Sequence, residues 1–179
     1  LDTARRIDLM DAAILIEGQT GVGKQLFARL IHARLAPQGK SEFATINCGA
    51  ITESIFRDRL LGSEEANAGT LLCLDEIGEL HPENQTLLLR YLEERLIRLT
   101  GPERTDDSLV LVSLTNRNLQ AEVEAGRFRR DLYYRLSSTV LTIPPLKDRG
   151  DDVLLIAEHY NRKLARESGR DLLIFGEEV

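Results

Sequence analysis

Residues 13–31 read AILIEGQTGVGKQLFARLI, and this stretch decides the fold of the chain. Its first part, residues 14–16, is a short apolar run of the kind that a parallel sheet buries on both faces. Residues 18–24 follow with the spacing glycine, four residues, glycine, lysine. Apolar residues then recur at helical spacing, at Phe27, Leu30, Ile31 and Leu35. A buried strand, a glycine-rich loop and a helix in this order predict a phosphate-binding loop.

The physical requirements of such a loop are met by these residue types. Glycines let backbone N–H groups turn toward an anion, the helix N-terminus adds positive potential, and Lys24 supplies a point charge for the outer phosphates. The alternative is a glycine-rich turn with an exposed lysine, and the flanking strand and helix favour nucleotide binding over it. The candidate nucleotide-binding residues are Gly18, Gln19, Thr20, Gly21, Val22, Gly23, Lys24 and Gln25.

Length and composition indicate one domain and exclude some partners. A chain of 179 residues with 42% hydrophobic content can bury one good core. The formal net charge is −6, without a lysine or arginine block, so the chain alone is not expected to bind nucleic acid. Neither a signal peptide nor a membrane-length apolar run is visible, which predicts a cytoplasmic protein with no membrane partner.

The cysteines and histidines carry no recognisable chemistry. Cys48 and Cys73 stand far apart inside apolar stretches, as buried free thiols of a reducing compartment do. The three histidines lack the spacing of metal ligands. The only metal expected is therefore one that accompanies a nucleotide.

Strand and helix patterns alternate along the rest of the chain. Further strands are predicted at residues 43–47, 70–74, 109–114 and 139–143. Helices are predicted over residues 1–10, 52–61, 118–125 and 128–136, from Pro82 onward, and through Val153, Ile156, Ala157, Tyr160 and Leu164 until Gly169. Residues 37–40 and 63–69 are expected to be links. This alternation predicts a five-stranded parallel sheet flanked by helices, a three-layer α/β/α fold.

Two carboxylates end the third predicted strand. Asp75 and Glu76 follow Leu71-Leu72-Cys73-Leu74, and in an open α/β sheet this end faces the ligand crevice. Asp75 is placed to hold Mg²⁺ through water, and Glu76 to polarise an attacking water. Two solvated acids at the end of a buried strand are the alternative, which the phosphate-binding loop makes less favoured.

Two further groups are ambiguous when the residues are taken alone. Thr115 and Asn116 end the fourth strand, where they either touch the γ-phosphate or form an ordinary turn. Arg129 and Arg135 stand six apart around an apolar helix pattern. Arginine supplied to a phosphoryl-transfer site stabilises transition-state charge, but spacing alone favours a solvated basic helix face.

A family resemblance favours the functional interpretation of these groups. The chain carries, in order, Asn47-Cys48-Gly49-Ala50-Ile51, Gly69-Thr70-Leu71 through Leu74-Asp75-Glu76-Ile77-Gly78, Arg127-Phe128-Arg129-Arg130-Asp131-Leu132-Tyr133-Tyr134-Arg135-Leu136, and Pro144-Pro145-Leu146-Lys147-Asp148-Arg149. From about residue 13 to residue 164 it resembles the central AAA+ ATPase domain of bacterial enhancer-binding transcription regulators, the sigma-54 activator family.

The resemblance implies a role for each candidate. Residues 18–24 would be the Walker A motif, and Asp75 with Glu76 the Walker B motif. Asn47 would be the switch residue that holds Glu76 until the γ-phosphate is sensed. Asn116, with Thr115 beside it, would be sensor I. Arg129 and Arg135 would be arginine fingers reaching into the next subunit of a ring, typically a hexamer.

The sequence departs from the family pattern in three places. Gln25 replaces the acidic or hydroxyl residue expected after the Walker lysine, so Mg²⁺ handling is expected to differ. Residues 1–168 match the nucleotide-binding subdomain, and residues 169–179 are expected to begin the connection to a helical lid that this sequence does not contain. The Gly-Ala-Phe-Thr-Gly-Ala loop that grips the sigma factor is missing, because only residues 63–68 separate the flanking motifs.

These features predict a AAA+ domain that binds ATP with Mg²⁺ and hydrolyses it, in a bacterial transcription regulator. It would control oligomerisation and act with RNA polymerase, and it would reach DNA only through a separate helix-turn-helix domain. One alternative is a nucleotide-bound scaffold with little hydrolysis that acts with the housekeeping polymerase. Another is a AAA+ chaperone or unfoldase subunit, although residues 63–68 lack the aromatic pore loop expected of one.

The short link leads to a prediction about sigma-54. Residues 63–68 span at most about 20 Å fully extended, carry no aromatic side chain and include two glutamates. We therefore expect that the full-length regulator does not drive open-complex formation by sigma-54 polymerase, whatever its ATPase rate. Single-round transcription from a supercoiled sigma-54 promoter measures this. An ATP-dependent transcript above the control without regulator would contradict it.

Overall fold

The computed structural model describes residues 13–35, 42–62, 71–100, 110–150 and 152–169. The chain divides into two compact units, Leu1–Ile143 and Pro144–Val179. The predicted helix over residues 1–10, the links at 37–40 and 63–69, and all but the first residue of the connection at 169–179 lie outside the described residues.

The first unit is built on a five-stranded sheet, as predicted. Its strands are β1 (Ala13–Glu17), β2 (Phe43–Asn47), β3 (Leu71–Asp75), β4 (Val110–Thr115) and β5 (Thr139–Thr142). They lie in the order β2-β3-β4-β1-β5, and every neighbouring pair is parallel. Each connection between them must cross over the sheet.

The helices of the first unit also follow the predicted pattern. They are α1 (Lys24–Leu35), α2 (Glu53–Gly62), α3 (Pro82–Thr100), α4 (Leu119–Glu124) and α5 (Arg130–Leu136). A 3₁₀ turn, Ile77–Glu79, joins β3 to α3. Asn118 caps α4 because its side chain accepts a hydrogen bond from the amide of Ala121 at 3.0 Å.

Apolar side chains cover both faces of the sheet. On β1, Leu15 belongs to one buried cluster, whereas Ile14 and Ile16 belong to the other. This follows from the alternation of side chains along a strand. The cluster that contains Leu15 includes buried side chains of α2, α3, α4 and α5. The other cluster includes Ala28 and Ile31 of α1. The three-layer α/β/α architecture is therefore confirmed.

Two predicted apolar helix positions lie at the surface instead. Leu30 of α1 is 41% exposed, while Ala28 and Ile31 are buried. On α2, Ile55 is 49% exposed, whereas Phe56 and Leu60 are buried in the core. A helix packed on one side buries only a stripe, so neighbours in sequence separate between core and solvent.

The second unit contains a 3₁₀ turn, Leu146–Asp148, and the helix α6 (Asp152–Ser168). Gly169, with a φ of 63°, ends α6 as predicted. The large apolar side chains of α6 are all exposed, namely Val153, Leu154, Leu155, Ile156, Tyr160 and Leu164. None of the described helices is long and apolar enough to cross a membrane.

Both cysteines are buried and unpaired, as predicted. Burial raises the pKa of the Cys73 thiol to about 12, and it raises the pKa of the Cys48 thiol further still. Both thiols are therefore neutral at physiological pH. Within the described ranges, histidines, cysteines and acids form no group of three that could hold a metal ion.

Candidate nucleotide-binding site

A cavity of about 300 Å³ lies where β1, β3 and β4 end. Its lining comes from three parts of the chain that are far apart in sequence. These are the glycine-rich loop, the end of β3 and the residue after β4. The lining residues are Thr20, Gly21, Gly23, Lys24, Gln25, Asp75, Glu76 and Asn116. The structure thus brings five of the eight predicted loop residues together with Asp75, Glu76 and Asn116 around one concave, polar cavity, as a phosphate site requires.

The glycines of the loop are required by its backbone. A Cβ added to Gly18 would stand 2.7 Å from the carbonyl oxygen of Ile143, so no larger residue fits between β1 and β5. Gly21 and Gly23 have φ values of 84° and 97°, which L side chains rarely adopt. Gln19 and Val22, also predicted here, lie in the same loop, but their side chains do not line the cavity.

Lys24 is held by its own loop. Its Nζ donates to the carbonyl oxygens of Gly18, at 2.8 Å, and Gln19, at 2.9 Å. Burial lowers the pKa of this ammonium, while the carboxylates of Asp75 and Glu76 oppose that shift. The ammonium therefore sits at the cavity, fixed by two hydrogen bonds that an incoming phosphate would compete with.

Gln25 is joined directly to the predicted metal-holding acid. Its Nε2 donates to Oδ2 of Asp75 at 2.6 Å. The other carboxylate oxygen, Oδ1, accepts from the backbone N–H of Glu76 at 3.1 Å. Both oxygens of Asp75 thus accept hydrogen bonds from within the protein.

Glu76 and Asn47 meet around Gly49. A Cβ on Gly49 would lie 3.3 Å from Oε2 of Glu76 and 3.5 Å from Oδ1 of Asn47. In this conformation Asn47 Oδ1 accepts from the N–H of Gly49 at 3.0 Å. The predicted hold of Asn47 on Glu76 is therefore not a direct hydrogen bond here. Glu76 has a left-handed backbone, with φ 55° and ψ 46°, which is uncommon outside glycine and strained.

The structure separates the predicted pair Thr115 and Asn116. Asn116 lines the cavity, and its Nδ2 donates to Oγ1 of Thr20 at 3.0 Å. Thr115 is buried, and its Oγ1 accepts from the backbone N–H of Arg117 at 3.0 Å. Its hydroxyl is bonded within the turn after β4, and Thr115 is not among the residues that line the cavity.

Neither predicted arginine finger lines this cavity. Arg129 precedes α5, and its Nε and Nη2 donate to the two oxygens of Asp131 at 3.0 and 2.7 Å. Arg135 lies exposed near the end of α5. Arg129 instead lines a second cavity, of about 530 Å³, with Arg130, Asp131 and Tyr134.

One residue of this region was not predicted from the sequence. Gln85 of α3 is 2% exposed and is hydrogen-bonded to the segment that carries Arg129. It stands three and seven residues before Leu88 and Leu92, which are buried on the same helix. A polar residue within an apolar helical stripe was the available signal.

Comparison with known families gives one match over most of the chain. The model of the Sigma-54 interaction domain matches residues 1–67 and 62–142. The match breaks where the two flanking motifs are joined by the short link. Regulatory protein AtoC of Escherichia coli (strain K12) is 41% identical over 189 residues, which cover 96% of this chain and 40% of AtoC.

A second relative shows the same relationship. The Nif-specific regulatory protein of Rhizobium meliloti (strain 1021) is 38% identical over 189 residues, covering 96% of this chain and 35% of that protein. Both alignments are longer than the 179-residue chain, so both relatives contain residues that this chain lacks. The chain spans about two fifths or less of the length of these relatives.

A solved structure extends the likeness to the fold. NtrX from Brucella abortus in complex with ADP superimposes with a TM-score of 0.80 at 30% identity, over 99% of this chain and 42% of that one. Taken with the sheet and its cavity, these matches show that the chain belongs to the Sigma-54 interaction domain family, the AAA+ P-loop domain of sigma-54-activating transcriptional regulators.

Proposed function

We propose that this domain binds ATP in the cavity of about 300 Å³ and hydrolyses it within an assembly of identical subunits. The observation that carries the proposal is the meeting of Lys24, Asp75, Glu76 and Asn116 around that one cavity. Their elements are separated in sequence, and each residue type matches a different requirement of phosphoryl transfer. The NtrX structures with ADP and ATP support the choice of nucleotide.

Phosphate binding is assigned to residues 18–25. The backbone of the loop and the start of α1 offer N–H groups to the phosphates, and Lys24 adds a charge for the outer ones. Lys24 exchanges its two carbonyl partners in the loop for phosphate oxygens. Because a charged acceptor makes a stronger hydrogen bond than a carbonyl oxygen, this exchange favours the bound state.

The residues of the cavity also fit a Mg²⁺ ion that enters with the nucleotide. Asp75 offers a carboxylate and Gln25 an amide oxygen, and Mg²⁺ in such sites takes few protein ligands and several from phosphate and water. The metal would neutralise charge on the phosphates. To take part through Oδ2, Asp75 must first lose the hydrogen bond from Gln25 Nε2.

Hydrolysis is assigned to the residues at the strand ends. Glu76 polarises the attacking water, and Asn47, whose side chain lies with that of Glu76 beside Gly49, is assigned to orient it. Asn116 contacts the γ-phosphate, and its hydrogen bond to Thr20 connects that contact to the phosphate loop. Thr115 contributes by fixing the turn that presents Asn116.

Arg129 and Arg135 are assigned to the neighbouring subunit's site. Their absence from the lining of the cavity within one subunit supports action on another copy, since a transition-state arginine must contact the phosphates. The ring this requires, a hexamer in the family, would have one nucleotide site at each subunit interface. In this proposal nucleotide state controls oligomerisation in a cytoplasmic regulator that acts with RNA polymerase, and DNA binding belongs to another domain.

A second candidate is a nucleotide-bound scaffold with little hydrolysis. The hydrogen bond from Gln25 to Asp75 favours it, because it engages a carboxylate oxygen of the residue that would hold Mg²⁺. The two candidates differ in turnover and not in nucleotide binding. The family match assigns the chain to transcriptional regulators and leaves no support for a chaperone subunit.

The phosphate-loop assignment is tested by Lys24→Ala. We expect tight ATP binding to be lost while the fold is retained, because the change removes a charge at the cavity and not a core group. Titration with a fluorescent ATP analogue measures the affinity, and thermal unfolding without nucleotide checks the fold. Lys163→Ala, at an exposed lysine of α6, is the matched control. Unchanged affinity in Lys24→Ala would refute the assignment.

The effect of Gln25 on magnesium is tested by Gln25→Glu. The change removes the amide that occupies Asp75 and adds a second carboxylate, so we expect a higher ATPase rate and half-maximal activity at a lower Mg²⁺ concentration. Gln120→Glu, at an exposed position of α4, adds the same charge away from the cavity. A Mg²⁺ titration identical to that of the wild type would remove the explanation.

Action in trans is tested by mixing subunits. Arg135→Ala and Glu76→Gln are each expected to abolish hydrolysis alone, but a mixture regains part of it. An interface with a wild-type Glu76 on one side and a wild-type Arg135 on the other is then complete. The same is expected of Arg129→Ala mixed with Glu76→Gln. A mixture no more active than either parent, under conditions where rings form, would argue for action in cis.

A further inference from the structure

Three segments of the first unit meet at the side chain of Gln85. Its Nε2 donates to the carbonyl oxygen of Leu80 at 2.8 Å and to that of Arg127 at 3.0 Å. Its Oε1 accepts from the backbone N–H of Arg129 at 2.9 Å. The side chain is 2% exposed, so these bonds are shielded from water. Both amide hydrogens and one oxygen lone pair are thereby used on backbone groups.

Gln85 joins the turn that follows Glu76 to the segment that carries Arg129. In the proposed reaction, these two segments act on opposite sides of the interface between neighbouring subunits. Leu80 ends the 3₁₀ turn that starts directly after Glu76, the residue assigned to the attacking water. Arg127 and Arg129 belong to the segment that carries the proposed finger. The next residue of α3, Thr86, also contacts the finger, because its Oγ1 accepts from Nη1 of Arg129 at 3.3 Å.

We propose that Gln85 is a positioning residue that fixes the backbone of Arg129 relative to the turn after Glu76, and so sets where the finger meets the neighbouring subunit's nucleotide. This inference rests on the proposed function and deepens it. A shift of the Glu76 segment in one subunit would, through Gln85, move the arginine offered to the next.

A second connection between the same segments is electrostatic and weaker. Arg117 pairs with Glu79 and, at 3.6 Å, with Glu122, which in turn binds Arg127 at 2.6 Å. Arg117, Glu79 and Arg127 are all solvent-accessible, and exposed ion pairs contribute little. The buried side-chain amide of Gln85 is therefore the principal connection. Hydrogen bonds shielded from water are stronger, and breaking them leaves buried polar groups without partners, which costs free energy.

A role in folding alone makes a different prediction. Buried carbonyl and N–H groups need partners wherever they occur, so Gln85 would then only stabilise the unit. Its loss would lower the unfolding temperature and reduce every activity together. A positioning role confines the functional defect to the finger side of the interface.

The experiment uses Gln85→Met in the full-length protein, since methionine matches the length of glutamine without its hydrogen bonds. We expect ATP affinity within about twofold of wild type and a kcat reduced by roughly tenfold to a hundredfold, as a finger displaced by about 1 Å would give. Mixing with Glu76→Gln should restore part of the rate. Mixing with Arg129→Ala should restore none, because both subunits then lack a working finger.

Asn84→Leu is the matched control. Asn84 is also 2% exposed and lies one residue earlier on α3, but its Oδ1 has no hydrogen-bond partner within the described part of the chain. This change removes a buried amide without touching the Arg129 segment, so kcat should stay near the wild-type value. If Gln85→Met does not fold, Thr86→Val removes one contact to Arg129 and should fall in the same complementation group with a smaller defect.

Three results would overturn the inference while leaving ATP hydrolysis intact. The first is a kcat of Gln85→Met equal to that of the wild type. The second is a loss of kcat in Asn84→Leu as large as that in Gln85→Met. The third is that activity of Gln85→Met is restored by mixing with Arg129→Ala and not by mixing with Glu76→Gln. The last would place the defect on the Glu76 side. The proposed function itself would be refuted if the wild-type protein did not hydrolyse ATP, or if Lys24→Ala bound ATP as tightly as the wild type.

Discussion

The parallel pairing of β4 between β1 and β3 is the constraint on which the site depends. In this register Glu17 lies opposite Thr115, and Leu74 lies opposite Ser113. The residues that follow each strand therefore emerge at one edge of the sheet, because parallel strands end in the same direction. The phosphate loop, Asp75 with Glu76, and Asn116 share a cavity for this reason and no other. A slip of one residue would turn every side chain of that strand to the opposite face of the sheet.

What the sequence predicted well depended on local patterns. The order strand, glycine-rich loop and helix specified the site around Lys24, and apolar runs ending in Asp75 or Asn116 specified which residues reach the same edge. Burial was predicted less well where two apolar residues are adjacent, as at Leu30 and Ile55, because spacing alone does not fix the rotation of a helix. The separation of Thr115 from Asn116 depends on a turn whose hydrogen bonds no pattern displayed.

The contribution of Gln85 could not be predicted for a different reason. Its partners, Leu80, Arg127 and Arg129, are five and more than forty residues away along the chain. The hydrogen bonds arise only when α3 packs beside α5, a contact set by buried apolar side chains of both helices. A buried amide in an apolar stripe signals that partners exist, but the fold decides which backbone groups they are.

Polar side chains at the cavity are hydrogen-bonded to other groups of the same site. Lys24 binds its own loop, Gln25 binds Asp75, and Asn116 binds Thr20. A ligand gains affinity only by the difference between the contacts it makes and those it displaces. In the proposed binding step, phosphate oxygens would replace the carbonyl partners of Lys24 with stronger acceptors. In that proposal the contacts of Lys24 bear on nucleotide binding, whereas the contact of Gln25 with Asp75 bears on magnesium handling.

The short link at residues 63–68 changes what nucleotide binding can accomplish. In a regulator that grips a sigma factor, movement beside Glu76 has an external loop to act on, and this sequence has no room for one. In the proposed function, the connection through Gln85 to Arg129 is a route by which movement beside Glu76 would reach another copy of the chain. Free energy from nucleotide binding then acts on the affinity between subunits. By linkage, assembly would then raise nucleotide affinity by the same factor as nucleotide raises assembly, so the proposed control of oligomerisation does not depend on fast turnover.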